Sequence, residues 1–407
     1  MASSNYQSFS SDAMENASDL PIPVVPTNTP NSHSCPIHHV QVAQNSPPKH
    51  KKKRAAPTHN MARLYGAKIF TDDDIKEWDD AEDVSQAYFN DKARKAPLST
   101  LLALQDARYI SEGQVAEILE KRLHDLTEKP FLLPASVIFR FLHIFNAKLS
   151  GSVIIRLIHP EDNFEPDDLD FYIEAMYERD AIKYLEKRGY QVSPPLYDKT
   201  RHTSSHSQTN YSYPHSTSYH RLYRFRVPET HGGKSINLVV SVGKAILPIL
   251  CFHSSAVMNY LAHHGLFILY PKTTLHHIAI PNTPGTISDM SPRAQQGVLK
   301  YQNRGWTYRY ARDLPHDCGK HPYCPRMLRS IHDSAVLRVP TPNYASQPVK
   351  VLYPAYQQDA QQGTWLLAGA GQCLQPSSES NCGYATVEGK TVPATEDKNK
   401  NAAYNRF

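Results

Sequence analysis

The feature that most constrains the fold of this chain is a Ser150-Gly151-Ser152 turn, followed after fifteen residues by Asp168-Leu169-Asp170-Phe171-Tyr172. In an extended strand alternate side chains project from opposite faces, so Asp168 and Asp170 share one face and the apolar residues share the other. Paired carboxylates suit a hard divalent cation such as Mg²⁺, which binds carboxylate oxygens together with substrate phosphates. The pattern therefore predicts Asp168 and Asp170 as metal-binding carboxylates.

The residues around the turn predict a phosphate-binding element. Ala147-Lys148-Leu149 is typical of a short strand, and Gly151-Ser152 opens an apolar helical run. A glycine lets the backbone approach a phosphate closely, and the amide groups at a helix N-terminus point toward it. The sequence therefore predicts a phosphate-binding turn beside the metal-binding carboxylates.

This order of Gly-Ser turn, short helix and Asp-x-Asp strand resembles the nucleotidyltransferase superfamily, which has the DNA polymerase beta-like fold. The resemblance implies an α+β fold with a mixed sheet flanked by helices. It also implies that Gly151 and Ser152 contact a nucleoside triphosphate and that Asp168 and Asp170 bind catalytic Mg²⁺. Lys300 and Arg304 are candidates to neutralise phosphate charge, with ordinary surface cations as the alternative.

Over roughly residues 130–335 the chain also resembles a group of fungal proteins, and this likeness implies no activity. The shared segments are Leu149–Ser152, Pro166–Tyr172, Phe252–Asn259, Lys300-Tyr301 and Arg304-Gly305-Trp306.

The chain departs from the superfamily where a third acid is expected on a later strand. The strand predicted at 235–240 carries Asn237 there, and a neutral amide neither offsets metal charge nor takes a proton. Glu165, Asp167 or Glu174 are alternative third ligands. A catalytically degenerate nucleotide- or nucleic-acid-binding protein and a metal-dependent nuclease of another fold are the other hypotheses.

Composition divides the chain into four regions. Residues 1–60 are poor in apolar residues and are predicted to be a disordered tail, and residues 61–130 are predicted to be helical. Residues 131–340 are expected to form the nucleotidyltransferase-like domain, with a polar, histidine-rich insertion at 194–219. Residues 341–407 form a C-terminal extension that is expected to be largely disordered from about residue 376.

Local patterns predict several elements within these regions. Ser111 and Gln114 have the spacing of a capping box at a helix start. Residues 219–227 and 235–242 are predicted to form a hairpin, 255–263 a helix and 291–301 another.

Charge and cysteine content bear on the cell compartment. The net charge of the chain is +5, and much of the excess lies in the basic run Lys49–Arg54. That run is typical of a nuclear-localisation signal or a polyanion-binding patch, with a solvated surface run as the alternative. Irregular cysteine spacing predicts reduced thiols, and therefore a nuclear or cytoplasmic protein. No apolar run approaches the roughly 18 residues of a membrane helix, so no membrane partner is expected.

Cys318, His321 and Cys324 have zinc-like spacing. A structural zinc would need a fourth ligand from Cys251, His253 or His316. Plain buried thiols are the alternative.

Overall fold

The computed structural model describes residues 92–198, 218–227, 233–342 and 363–369, with the strands Tyr384–Val387 and Lys390–Pro393. The predictions for residues 1–91, including the disordered tail and the basic run, lie outside the described residues. So do residues 199–217 of the polar insertion and most of the segment after residue 369.

Among the described residues, helical residues 92–95 and three helices with defined bounds precede the Gly-Ser turn. These three helices are α1 (Leu98–Asp106), α2 (Glu112–Phe131) and α3 (Ala135–Ile144). The capping box predicted at Ser111 is confirmed, because the Ser111 hydroxyl accepts from the Gln114 amide and the Gln114 side chain accepts from the Ser111 amide. All three helices contribute apolar residues to the core that the sheet also uses, so the boundary expected near residue 130 does not separate two cores.

The sequence around the turn folds as strand, helix and strand. These elements are β1 (Lys148–Ser150), α4 (Ser152–Ile158) and β2 (Asp168–Glu174), followed by α5 (Glu178–Glu186). Further strands are β3 (Gln191–Val192), β4 (Tyr197–Asp198), β5 (Tyr219–Arg226) and β6 (Ser235–Ser241). The predicted pairing of β5 with β6 as antiparallel neighbours is confirmed.

The other helices and strands of the described residues follow in chain order. They are α6 (Leu247–Leu250), β7 (Asn259–Ala262), β8 (Gly265–Ile268), α7 (Pro271–Thr274), β9 (Ile278–Ala279), α8 (Pro292–Gln302), β10 (Thr307–Tyr308), β11 (Arg329–Ser330), β12 (Leu337–Val339), β13 (Gly363–Leu366), β14 (Tyr384–Val387) and β15 (Lys390–Pro393). The Ser291 hydroxyl caps α8 by accepting from the Ala294 amide at 3.4 Å.

The largest sheet of the described residues is mixed, with nine strands in the order β12-β8-β7-β1-β2-β6-β5-β3 and β4 paired to β5. Strand β2 lies antiparallel to β1 and parallel to β6. Together with the flanking helices, this arrangement establishes an α+β architecture. Strands β11, β13, β14 and β15 form a second sheet, and β9 pairs with β10 in parallel.

The prediction of a helix at 255–263 is wrong. A 3₁₀ turn at Ser255–Val257 is followed by strand β7, which pairs with β1 and β8. All four residues of β7 are buried, so the strand lacks the alternation that would have marked it. Its neighbours in the sheet, not its own pattern, decide its conformation.

Two other segments differ from expectation at their edges. The polar insertion was expected from residue 194, but Tyr197–Asp198 pairs with β5 and Tyr197 is buried. The C-terminal extension contributes β13, whose Trp365 is fully buried, and it contains β14 and β15. Both regions are therefore partly incorporated into the sheets.

The two faces of β2 belong to different surroundings. Leu169, Phe171 and Ile173 pack in the core beneath the helices, whereas Tyr172 packs in a second cluster on the opposite face. Asp168 and Asp170 therefore lie on the face away from α1–α3. Among the described residues, no helix combines the length and the apolarity that crossing a bilayer requires.

Candidate functional site

The Gly-Ser turn and the acidic strand are in direct contact. Ser150 and Asp170 are register partners in the β1–β2 pair, so the turn begins opposite the second carboxylate. Gly151 has a φ of 81°, and a Cβ at this position would overlap the Asp170 Oδ2 atom. Glycine is thus required twice, for its backbone conformation and for the space that the carboxylate fills.

Asn237 lies between the two carboxylates. The parallel register places it beside Asp170, and its Nδ2 donates to Asp168 Oδ2 at 3.0 Å and to Asp170 Oδ1 at 2.9 Å. Its own Oδ1 accepts from Arg224 Nε at 3.2 Å. The amide thus bridges both acids through hydrogen bonds.

Burial and the neighbouring cations act in opposite directions on the pKa of the Asp170 carboxyl. Burial, and then the nearby Asp168 carboxylate, raise the pKa of Asp170 to about 7. The hydrogen bond from Asn237 and the charges of Lys300 and Arg293 act in the opposite direction. Because the two carboxylates lie close together and are partly buried, the negative charge of Asp168 favours the protonated form of Asp170.

The carboxylates open into a cleft of about 770 Å³. Gly151, Ser152, Asp168 and Asp170 lie on one wall, and helix α8 forms another wall. The cleft-facing residues of α8 include the exposed cations Arg293 and Lys300 and the buried Tyr301. The structure therefore brings Lys300 together with the predicted turn and acids.

Arg304 does not join them. It follows the end of α8, and its guanidinium lies 3.7 Å from the centre of the Phe164 ring and 5.4 Å from that of Tyr301. It is not among the residues that line the cleft. Helix α8 ends at Gln302 and the chain turns away, which gives Arg304 a packing position instead of a place beside the phosphates.

Two buried polar atoms in the cleft have no hydrogen-bond partner among the described residues. They are the Ser152 Oγ and the His253 Nε2. Burial lowers the pKa of His253 to about 4, so its ring is neutral at physiological pH. A Cβ at Gly297 of α8 would approach that ring to 2.9 Å, so the helix packs closely over the histidine.

Sequence reasoning missed His253, Arg293 and Arg224 as cleft residues. His253 falls in the Phe252–Asn259 segment of the fungal resemblance, which was its one signal. Arg224 and Leu222 are two residues apart on β5, so they project from the same face, and both line the cleft. Arg293 lies in the first turn of α8, and only the position of that helix at the cleft wall brings its charge near Asp170.

The zinc-like group has a different third member from the one expected. The ligand atoms of His316, Cys318 and Cys324 lie within 4.8 Å of one another, and His321 is not in that group. Cys251 and His253, which were considered as distant ligands, line the cleft instead. Gly319, which has a φ of 76°, lies between the two cysteines in the sequence, and its amide donates to the Cys324 Sγ at 3.2 Å.

Comparison with known proteins gives no family for this arrangement: no family model, no curated protein and no solved structure matches the chain.

Proposed function

We propose that the cleft binds a nucleoside triphosphate together with Mg²⁺, as a protein with a nucleotidyltransferase-like fold does. The observation that carries the proposal is the contact between the Gly151-Ser152 turn and Asp170, within one cleft that also contains exposed cations. A triphosphate–metal complex needs carboxylates for the ion, hydrogen-bond donors for the phosphates and positive charge for the remaining oxygens. The cleft offers all three.

Asp168 and Asp170 would hold the ion. Both are partly exposed toward the cleft, and both accept from the same Asn237 nitrogen, so the two carboxylates lie close together. The ion would bind the oxygens that do not accept from Asn237, which are Asp168 Oδ1 and Asp170 Oδ2. Burial, and then the negative charge of Asp168, raise the pKa of Asp170. When bound, the divalent cation supplies the countercharge for the carboxylates and the phosphates.

Ser152 and the cations of α8 would hold the phosphates. The Ser152 Oγ is buried and unpartnered within the described part of the chain, which leaves a donor for a phosphate oxygen at little cost to the protein. Arg293 and Lys300 are exposed on the facing helix. Their long side chains can reach an anion without first giving up a buried position.

The nucleoside end has an apolar, aromatic lining. Tyr172 and Phe252 meet edge to face with ring centres 6.0 Å apart, and Leu222 and Val239 lie beside them in the cleft. The volume of about 770 Å³ falls within the range of small-molecule sites, about 300–1,000 Å³. A base and its sugar therefore fit against this wall with the phosphates at the turn.

Asn237 favours a second candidate function, which is nucleotide binding without efficient transfer. Its amide donates to the carboxylates instead of adding a third negative charge, and it accepts no proton from an attacking hydroxyl. Nucleotide binding would tolerate an asparagine in place of a third acid, because the Gly151-Ser152 turn and one ion would still hold the phosphates. Bond formation depends on interactions that strengthen in the transition state, so it is more sensitive to a missing ligand.

Calorimetric titration of ATP tests the binding proposal. Wild type should bind ATP with Mg²⁺ and lose most of that affinity with EDTA, and the Asp168→Asn, Asp170→Asn double variant should bind at least about tenfold more weakly. Ser152→Ala should weaken binding while leaving the melting temperature unchanged or higher. Asp167→Asn is the matched control, because this side chain is 76% exposed at the same strand end, pairs with Lys234 and does not line the cleft, so it is not placed to act as the third ligand. Equal affinity in wild type and the double variant would refute the assignment.

Label transfer from α-labelled ATP separates the two candidate functions. Acceptors should include single-stranded RNA, DNA and small hydroxyl compounds. Weak wild-type transfer that rises with Asn237→Asp would support a degenerate site. Robust wild-type transfer that Asn237→Asp does not improve would contradict it and would show that another residue serves as the third ligand.

A further inference from the structure

The segment 314–328 is packed without helix or strand. It joins a 3₁₀ turn at Ala311–Asp313 to strand β11, and only turns and bends occur between them. Cys324 and Tyr323 are nevertheless buried. Irregular connections of this length are uncommon in compact domains and are usually either functional or disordered.

A compact ligand set lies in this segment. The side-chain ligand atoms of His316, Cys318 and Cys324 are all within 4.8 Å of one another, and the His316 Nε2 lies 3.9 Å from the Cys318 Sγ. With bond lengths of 2.0–2.1 Å to nitrogen and about 2.3 Å to sulfur, a tetrahedral zinc ion places such atoms roughly 3.6 Å apart. The set therefore needs little movement to close around one ion.

The contacts around these side chains orient them as ligands. The His316 Nδ1 lies 2.7 Å from the Leu314 carbonyl oxygen, which can only accept, so Nδ1 carries the proton. This leaves the Nε2 lone pair directed toward Cys318, as in metal sites where the second imidazole nitrogen donates to a carbonyl. The Gly319 amide donates to the Cys324 Sγ at 3.2 Å, which stabilises a thiolate.

His321 lies in the same turn, outside the three-residue group, and a small movement of its ring would make it a fourth ligand. Its Nδ1 is buried and lacks a hydrogen-bond partner within the described ranges. Its ring centre lies 6.4 Å from that of His316, and two imidazoles on one tetrahedral ion have ring centres roughly 5 Å apart.

We propose that His316, Cys318, His321 and Cys324 bind a structural zinc ion that holds segment 314–328 in place. Two thiolates and two neutral imidazoles balance the charge of Zn²⁺ and close its coordination sphere, as in structural and not catalytic sites. The proposal is independent of nucleotide binding, because none of the four residues lines the cleft.

The ion would add to the hydrogen bonds that already hold the end of segment 314–328 against the rest of the fold. Arg329 is buried, and its Nη1 donates to the Pro322 carbonyl at 2.8 Å while its Nη2 donates to the Leu269 carbonyl at 3.0 Å. The Tyr323 hydroxyl donates to the Pro315 carbonyl at 2.6 Å. Zinc would thus join the start of the segment to an end that already packs on the core.

Metal analysis of the full chain, purified with reductant, tests the proposal. Wild type should contain about one zinc per chain, and Cys318→Ser with Cys324→Ser should reduce this at least about tenfold. Cys251→Ser is the matched control and should keep its zinc. Cobalt substitution of wild type should give the thiolate-to-cobalt charge-transfer band in the near ultraviolet, and the double variant should lose it.

The two histidines are tested by competition with a chromogenic chelator. His316→Ala and His321→Ala should each weaken zinc binding at least about tenfold, whereas His332→Ala, at an exposed position on the next turn, should not change it. Unchanged zinc affinity in His321→Ala would overturn the four-ligand set.

Wild-type measurements keep the test decisive if the cysteine variants do not fold. Removal of zinc by a chelator should lower the melting temperature, and added zinc should restore it without affecting ATP affinity. Zinc content below about 0.1 per chain after reconstitution, no charge-transfer band with cobalt, or a Cys318–Cys324 disulfide under reducing conditions would each overturn the proposal.

Discussion

Replacing Asp170 by asparagine should stabilise the metal-free protein at pH 8. The folded protein raises the pKa of Asp170 to about 7, against about 3.9 in the unfolded chain. A difference of about three pKa units corresponds to about 4 kcal/mol as an upper limit. The side chain is partly exposed, and solvent screening reduces the expected gain to on the order of 2 kcal/mol. Asparagine keeps the oxygen that accepts from Asn237 and removes the charge that faces Asp168.

The raised pKa of Asp170 determines how the stability difference between wild type and Asp170→Asn changes with pH. A carboxyl group that binds its proton more tightly when folded stabilises the protein fully below the unfolded pKa. That stabilisation is lost as pH rises through the folded pKa. The free energy of unfolding of wild type should therefore fall relative to Asp170→Asn between about pH 4 and pH 7, and the difference should level off by about pH 8.

Urea titration in the presence of EDTA, at pH 5 and at pH 8, measures the free energies of unfolding of wild type and Asp170→Asn. Asp167→Asn is the control, because its exposed carboxylate pairs with Lys234 at the surface and should change stability by less than about 0.5 kcal/mol. The reasoning is refuted if Asp170→Asn is no more stable than wild type at pH 8, or if its advantage fails to grow between the two pH values.

Three further predictions concern the turn, the buried arginine and the N-terminal basic run. Gly151→Ala should lower the free energy of unfolding by on the order of 3 kcal/mol in urea titrations, whereas Gly305→Ala, with positive φ but open space, should cost only about 1 kcal/mol. Arg329→Met should lower the free energy of unfolding by about 3–5 kcal/mol, as measured by thermal denaturation. The substitution removes the guanidinium that lies 2.6 Å from the Asp333 carboxylate. Alanine at Lys51–Arg54 should move a fluorescent fusion from nucleus to cytoplasm, and an unchanged distribution would remove the localisation prediction.

Sequence patterns with a range of a few residues were sufficient for much of the fold. The alternation in β2 separated Asp168 and Asp170 from their apolar neighbours, and the structure places those neighbours in the core. The capping box at Ser111 and the Ser291 start of α8 also followed from short spacings. Such features are local because the side chain and the backbone group that it satisfies are three residues apart.

The tertiary structure decided what long-range pairing controls. Asn237 reaches both carboxylates only because β6 lies parallel to β2 in one register, and β7 is a strand because β1 and β8 flank it. The position of α8 gives Arg293 a place in the cleft and denies one to Arg304. These outcomes depend on contacts between residues far apart in the chain, and no local pattern encodes the partner or the register.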